Sequence, residues 1–290
     1  MIRKSLLVFI VIFAAFNIYL TVSKKQFNEY QYQYQLNVIR AQKYIYDAER
    51  KPSAVMLGTS LSALMHLPDS IYNLSLPGLN VADGIEVVRT IHTLPKTVFI
   101  ESNYFFRDGS ESFKDIFSNR INNQLKIWLP GMRDQNQPPN ILLSVLKPQK
   151  NKEERPAPEN DAVPSPALFA NLLTRQESIY KTVDTLLVNR GLDRLTEFVK
   201  DITASGGKVC IFEVPVSASL VPLPLTTVIR EKLRVRFQHL ENVYFLNAPK
   251  DHKYQTVDGI HLSHSSLWDY SMYFREETAR LFSAKNELVP

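Results

Sequence analysis

The sequence predicts an α/β protein built on a five-stranded parallel sheet flanked by helices. Short apolar runs each end at a loop residue, and stretches with helical periodicity lie between them. Strands that are apolar on both faces are typical of a parallel sheet covered by helices on both sides. The predicted strands are 54–57, 71–76, 97–100, 209–214 and 243–246, and the predicted helices are 81–94, 192–205 and 226–240.

The N-terminal segment predicts a membrane anchor. After Arg3 and Lys4, residues 6–22 are mostly apolar, which is the short end of the roughly 17–25 residues that span a hydrocarbon core. No clear small-x-small cleavage site follows, so residues 1–25 predict an uncleaved signal anchor, with a cleaved signal peptide as the alternative. The short basic tail favours a single-pass topology with the rest of the chain exported to the periplasm or cell exterior, although the basic pair at 24–25 opposes that orientation.

The rest of the chain is predicted to form a juxtamembrane helix and one larger domain. Residues 26–52 are polar and rich in tyrosine, and Leu36 and Ile39 share one helical face. The strand pattern occupies residues 53–290. Within it, the proline-rich and charged stretch at about 136–166 predicts a flexible insertion or surface loop.

Composition and charge argue against several functions. The net charge of +5 is spread along the chain rather than clustered, so no nucleic-acid binding is predicted. The single cysteine, Cys210, excludes an intramolecular disulfide and lies in an apolar run, which predicts a small buried side chain. The six histidines show no metal-ligand spacing with a second carboxylate. Neither a metal nor another cofactor is predicted.

A candidate nucleophile follows the first predicted strand. Ligands of parallel α/β sheets bind beyond the carboxyl ends of the strands, and Ser60 stands at such a position. Gly58 permits a tight turn, and a serine that opens a helix is surrounded by backbone N–H groups able to stabilise an oxyanion. Taken alone, a helix N-cap serine is the commoner interpretation of this pattern.

A candidate base and its carboxylate partner lie near the C-terminus. A serine hydroxyl needs a base, and a histidine needs a carboxylate to fix its tautomer. Asp258 and His261 are three residues apart, so both side chains can point at one spot from a loop or a first helical turn. Asp-Gly is also ordinary turn chemistry, and only the combination with Ser60 predicts a Ser-His-Asp triad.

These motifs together resemble the SGNH (GDSL-like) hydrolase superfamily over about residues 53–282, with the insertion excluded. The family pattern has a serine block after the first strand, a glycine after the second, an asparagine after the third and an Asp-x-x-His block near the end. The matching segments are Gly58-Thr59-Ser60, Gly78, Glu101-Ser102-Asn103-Tyr104 and Asp258-Gly259-Ile260-His261. Thr59 stands where the family commonly has an acid, and Glu101 and Tyr104 replace the usual neighbours of Asn103.

The resemblance implies a role for each matching residue. Ser60 would be the nucleophile, His261 the general base and Asp258 its orienting partner. The oxyanion hole would consist of the backbone N–H groups of Ser60 and Gly78 together with the Asn103 side chain.

The resemblance and the anchor together imply an exported serine O-acyltransferase or esterase acting on acyl esters of cell-surface polysaccharide. SGNH domains held by one N-terminal anchor are similar to those of alginate-type acetylation and teichoic acid D-alanylation systems, in which an integral membrane partner supplies acyl groups. The implied partners are an acylated glycan or lipid substrate, the membrane and such an acyl donor. The alternatives are a plain carbohydrate or lipid esterase and a non-catalytic scaffold that keeps the fold.

Overall fold

The computed structural model describes residues 2–23, 32–47, 53–91, 93–146, 164–249 and 253–283. The chain divides into two compact units, one made of residues 1–51 and 111–152 and the other of residues 52–110 and 153–290. The described helices, in chain order, are α1 Ile2–Ser23, α2 Gln33–Tyr46, α3 Val81–Arg89, α4 Glu111–Ser118, α5 Arg120–Trp128, α6 Pro138–Leu146, α7 Pro166–Tyr180, α8 Thr185–Ala204, α9 Pro224–Phe237 and α10 His264–Ser283.

The second unit contains a five-stranded, all-parallel sheet with the strand order β2-β1-β3-β4-β5, which confirms the predicted fold class. Each observed strand coincides with a predicted one to within two residues. The strands are β1 Ala54–Gly58, β2 Ile71–Ser75, β3 Thr97–Glu101, β4 Lys208–Phe212 and β5 Val243–Leu246.

Burial follows the position of each strand in the sheet. The interior strand β1 is buried at every residue, whereas β2 and β5 at the two edges are half-buried over most of their length. Helix α10 covers part of the sheet through Phe274, whose ring lies 5.2 Å from Phe99 and 5.1 Å from Phe212. Removing such aromatic surface from water is a main source of the stability of this unit.

Local capping signals determine where several helices begin. Asn80 and Asp83 form a capping box at the start of α3, and the Asp184 side chain accepts a hydrogen bond from the Leu187 N–H at the start of α8. Helix α8 therefore begins seven residues before the predicted helix 192–205. The predicted helix omits these first turns, which contain Gly191, a residue that disfavours helices.

The first unit contains α1, α2, α4, α5 and α6. Helix α2 lies within the predicted juxtamembrane segment 26–52. The sequence analysis assigned residues 111–146 to the larger domain, whereas their contacts group them with the N-terminal helices. The domain boundaries at 25 and 52 stay predictions.

The predicted loop at 136–166 contains helix α6 near its start and ends at the first residue of α7. Helix α6 begins with two prolines at 138 and 139, and α7 begins at Pro166. Proline is tolerated in the first turn of a helix because its missing N–H has no intrahelical partner there. The prolines at 138 and 139 are therefore compatible with a helix, and the insertion as a whole stays a prediction. Residues 147–163, the rest of the predicted loop, lie outside the described residues.

Helix α1 is long and apolar enough to cross a membrane. Its stretch Ile2–Val22 has a mean hydropathy of 2.4 and is largely exposed to solvent. A signal sequence near the N-terminus meets the same criterion, so length and composition do not separate the anchor from the cleaved signal peptide.

Gly191 is expected to be essential for the packing of α8. A Cβ atom added at Gly191 would lie 2.3 Å from the Cα atom and 2.9 Å from the carbonyl carbon of Phe106, and backbone atoms cannot yield as a flexible side chain can. Gly191→Ala should lower the free energy of unfolding by about 1–3 kcal/mol, although alanine favours helices over glycine by about 1 kcal/mol. Urea denaturation measures the difference. The matched control Leu186→Ala, at an exposed position of α8, should change it by less than about 0.5 kcal/mol, and a stabilised Gly191→Ala protein would contradict the packing argument.

Candidate active site

The structure brings together Ser60, His261 and Asp258, the three residues that the sequence predicts as a triad. Ser60 Oγ lies 2.8 Å from His261 Nε2, and His261 Nδ1 lies 2.7 Å from Asp258 Oδ2. Because the carboxylate oxygen can only accept, it fixes the proton on Nδ1 and leaves Nε2 to accept from the serine hydroxyl. This is the arrangement in which a histidine can remove a proton from serine.

The loop before α10 fixes the position of the Asp258 carboxylate relative to the His261 imidazole. Asp258 Oδ1 accepts hydrogen bonds from the backbone N–H groups of Ile260, at 3.0 Å, and His261, at 2.8 Å. Gly259 has φ +96°, a conformation that side chains rarely adopt, and its carbonyl accepts from the Ser217 N–H at 2.8 Å. The two carboxylate oxygens therefore have different roles. Oδ1 stabilises the loop by accepting the two backbone hydrogen bonds, and Oδ2 orients the His261 ring.

Asp258 is held in its ionised form. Burial raises the pKa of the Asp258 carboxyl, but the hydrogen bonds from the His261 ring and from the His261 and Ile260 N–H groups outweigh it, so the pKa lies below its ordinary value. A lowered carboxyl pKa contributes stability above the pKa of the unfolded chain, and that contribution is lost as the pH falls through the lowered value.

A fully buried carboxylate, Glu101, stands behind the turn that carries Ser60. Glu101 Oε2 accepts from the Thr59 N–H at 2.9 Å and from Ser62 Oγ at 2.6 Å, and Oε1 accepts from Thr59 Oγ1 at 2.7 Å. These bonds hold the residues on both sides of the candidate nucleophile. The sequence analysis treated Glu101 only as an unusual neighbour of Asn103. A charged residue at the end of an otherwise apolar strand was the signal that could have identified it.

The surroundings of Glu101 also explain why position 58 is a glycine. A Cβ atom at Gly58 would lie 2.0 Å from Ser62 Oγ and 2.7 Å from Glu101 Oε2. Ser62 Oγ also lies 2.8 Å from Ser75 Oγ, so the network joins the carboxyl ends of β1, β2 and β3. Burial raises the pKa of the Glu101 carboxyl and outweighs the hydrogen bonds that lower it.

Two further residues were predicted for the oxyanion hole. Gly78 lies in the turn after β2 with φ +76°, a backbone conformation that favours glycine. The Asn103 side chain clamps the loop after β4, since its Oδ1 accepts from the Val214 N–H and its Nδ2 donates to the Val214 carbonyl, both at 2.9 Å. One of the two amide hydrogens of Asn103 is thereby engaged. The oxyanion roles of Ser60, Gly78 and Asn103 stay predictions.

Other candidate chemistry is limited in the part of the chain that the structure describes. Cys210 is buried, as predicted, and burial raises the pKa of its thiol to about 12, which keeps it protonated and unreactive. No cluster of three or more histidine, cysteine or carboxylate side chains that could hold a metal ion occurs among the described residues.

A cleft of about 1000 Å³ opens beside the triad loop. Its lining includes Val257 and Ser263, which flank the segment holding Asp258 and His261, and the loop after β4 at Ser217. Arg230 lines the same cleft and forms a two-pronged ion pair with Glu213, at 2.7 and 2.8 Å. The cleft is large enough for a ligand of several rings.

The fold and the site define an α/β protein with a hydrogen-bonded Ser-His-Asp constellation between the first strand and the last helix. No protein-family model, no curated protein and no solved structure matches this chain. The functional argument therefore depends on the geometry of the site.

Proposed function

We propose that this chain is a serine-dependent acyl-transfer enzyme of the SGNH type, acting as an O-acyltransferase or esterase on acyl esters of cell-surface polysaccharide. The observation that carries the proposal is the continuous hydrogen-bond chain from Ser60 through His261 to Asp258. A carboxylate paired with one ring nitrogen, and a serine hydroxyl on the other, is the arrangement required for nucleophilic catalysis by serine.

The first half of the reaction forms an acyl-enzyme. His261 Nε2 takes the proton of Ser60 as Oγ attacks the ester carbonyl, and Asp258 stabilises the imidazolium that results. The backbone N–H groups of Ser60 and Gly78 and the second amide hydrogen of Asn103 would stabilise the oxyanion. His261 then gives its proton to the departing alcohol, and the acyl group remains on Ser60 Oγ.

The second half of the reaction depends on the acceptor. A water or a sugar hydroxyl gives its proton to His261 Nε2 and attacks the acyl-Ser60 carbonyl. The acyl–Oγ bond then breaks as His261 returns that proton to Ser60 Oγ, which releases a free acid or a new ester and restores the free enzyme. The apolar helix α1 supports a membrane-held enzyme. The proposal adds that the site is exported and that an integral membrane partner supplies the acyl groups.

Covalent labelling of Ser60 tests the proposal directly. A fluorophosphonate probe should label the wild-type chain with one equivalent, because the activated hydroxyl attacks phosphorus as it attacks an ester carbonyl. Ser60→Ala should abolish the labelling, whereas Ser118→Ala, an exposed serine at the end of α4, should leave it unchanged. Mass spectrometry of the labelled peptide measures both. A well-folded wild-type protein that takes no label would contradict the proposal and favour the non-catalytic scaffold.

Product analysis separates the transferase from the esterase. The protein is incubated with an activated acyl donor, with and without a polysaccharide acceptor, and acylated glycan and free acid are compared. A transferase should shift product from acid to acylated glycan as the acceptor concentration rises. If acid alone forms at every acceptor concentration, the transferase is excluded and the esterase remains.

A further inference from the structure

Helix α5 in the first unit has its polar side turned inward and its apolar side turned outward. Ile121, Leu125 and Trp128 share one helical face, and Ile121 and Trp128 are 75% and 77% exposed. Lys126, by contrast, is only 8% exposed, and Asn123 accepts a hydrogen bond from the Tyr46 hydroxyl at 2.7 Å. A helix on the surface of a water-soluble protein shows the opposite arrangement.

Helix α6 repeats this inverted arrangement. Asn140 is fully buried and donates a hydrogen bond to the Gln135 carbonyl at 2.7 Å. Leu142 and Leu146, one turn apart, are exposed, Leu146 by 68%. We call the outward residues of the two helices the apolar patch: Ile121, Leu125, Trp128, Leu142 and Leu146.

A buried polar network explains how the inward side of these helices is stabilised. Lys126 forms an ion pair with Asp134 at 3.6 Å, and Arg133 forms one with Asp47 at 3.0 Å. Arg133 also donates to the Lys126 carbonyl at 2.8 Å. Because each charge has a partner, its burial is compensated, and the apolar side chains are left to face outward.

The turn that follows α5 contacts the candidate membrane helix α1. The buried and half-buried residues of α1 form one stripe, which includes Phe13, Asn17 and Leu20. Asn17 Oδ1 accepts from the Gly131 N–H at 2.8 Å, in the turn that directly follows α5. A Cβ atom at Gly131 would lie 3.0 Å from Phe16 Cδ1, so the glycine permits this close approach.

The position of Asn17 in α1 limits the depth of the patch. Asn17 is six residues from the end of the 22-residue helix at Ser23, which is about 9 Å along its axis. If α1 is centred on a hydrocarbon core about 30 Å thick, Asn17 lies about 7 Å inside the nearer boundary. Trp128 is three residues from Gly131, so its Cα lies within about 11 Å of it, which puts the membrane–water interface within reach of the Trp128 side chain. Tryptophan is enriched at that interface.

We propose that the apolar patch lies in the interfacial layer of the lipid bilayer that α1 enters, so that the first unit is held on the membrane surface by α5 and α6 as well as by α1. The occupant is lipid because the turn that follows α5 contacts α1 at Asn17, and α1 is long and apolar enough to enter a bilayer. Exposed large apolar side chains grouped on the outward faces of helices are typical of an interaction site. The proposal depends on α1 entering a bilayer and not on the chemistry of Ser60.

Tryptophan fluorescence in vesicles provides the test, because Trp128 and Trp268 are the two tryptophans of the chain. The full-length Trp268→Phe variant is reconstituted into phosphatidylcholine vesicles whose lipids are brominated near the headgroup, and into unbrominated vesicles. Flotation of the vesicles shows separately that the protein has inserted. Bromolipid should quench Trp128 at least twofold, and iodide in the aqueous phase should quench it several-fold less than free tryptophan.

Matched substitutions show whether the patch as a whole contacts lipid. The double change Ile121→Gln and Leu125→Gln should reduce the bromolipid quenching of Trp128 and increase its quenching by iodide. Leu186→Gln, at an exposed leucine of α8 outside the patch, should change neither. Inserted protein whose Trp128 is unaffected by bromolipid and fully open to iodide would overturn the proposal. Protection of Trp128 that requires added membrane proteins would overturn it in favour of a protein partner.

Discussion

Replacement of Asp258 by asparagine is expected to lower kcat/KM for an ester substrate by about 10³–10⁴-fold while leaving the fold intact. The reason lies in the separate tasks of the two carboxylate oxygens. An asparagine Oδ1 can still accept from the N–H groups of Ile260 and His261, so the loop keeps its shape. The amide nitrogen, however, would occupy the place of Oδ2 beside His261 Nδ1.

That exchange reverses the tautomer of the imidazole. An amide N–H donates to Nδ1, so the ring proton moves to Nε2, the atom 2.8 Å from Ser60 Oγ. A protonated Nε2 cannot take the serine proton, and Ser60 loses its base. The rate of fluorophosphonate labelling and kcat/KM for a p-nitrophenyl ester should fall together.

A matched control and the pH dependence sharpen this test. Asp193→Asn removes an exposed carboxylate that pairs with Arg236 at 3.2 Å and should leave kcat/KM unchanged. The Asp258 pKa is lowered, so wild type should unfold less readily than Asp258→Asn near neutral pH, and the difference should shrink as the pH falls below the ordinary value of 3.8. An Asp258→Asn protein within about tenfold of wild-type activity would show that His261 does not depend on Asp258.

Removal of the Glu101 carboxylate is expected to destabilise the protein and misplace its nucleophile. Glu101→Leu leaves the Thr59 N–H and the Thr59 and Ser62 hydroxyls without their buried acceptor. An unsatisfied buried donor costs about 1–3 kcal/mol. Since the hydroxyls can turn toward other acceptors, a total loss of about 2–4 kcal/mol in the free energy of unfolding is expected. Urea denaturation measures it.

The conservative variant Glu101→Gln distinguishes an effect of Glu101 on the position of Ser60 from an effect on the stability of the fold alone. Its carbonyl oxygen can take the place of Oε2, and its amide can donate to Thr59 Oγ1, so most of the turn is retained. We expect this variant to keep wild-type KM and to restore most of the kcat that Glu101→Leu loses. Equal kcat in wild type and Glu101→Leu would contradict a positioning role for Glu101.

The raised pKa of Glu101 gives the Gln variant a distinct pH signature. The folded state favours the protonated carboxyl, so the contribution of Glu101 to stability falls as the pH rises above its ordinary value of 4.5. Glu101→Gln does not titrate. It should therefore gain stability relative to wild type as the pH rises, which is opposite in sign to the behaviour of Asp258.

The parts of the site that could be predicted from sequence have local signals. Ser60 follows a glycine turn at the end of an apolar strand, and Asp258 and His261 lie three residues apart in one loop. The role of Glu101 could not be predicted in this way, because its partners Thr59 and Ser62 are 42 and 39 residues away in the chain. The clamp of Asn103 on Val214 joins residues 111 positions apart.

The whole chain shows the same difference between features that have a local sequence signal and features that depend on residues far apart in the chain. The sequence by itself determined the parallel α/β sheet, because a short run of consecutive apolar residues marks a strand that is buried on both faces. It also determined the candidate triad residues, because they lie beside turn residues that are their neighbours in the chain. Only the tertiary structure decided that Ser60 lies 2.8 Å from His261. It also decided that α5 and α6 turn their apolar faces outward. Charge pairs between distant segments, such as Arg133 with Asp47, set that orientation, and no local pattern in the sequence specifies them.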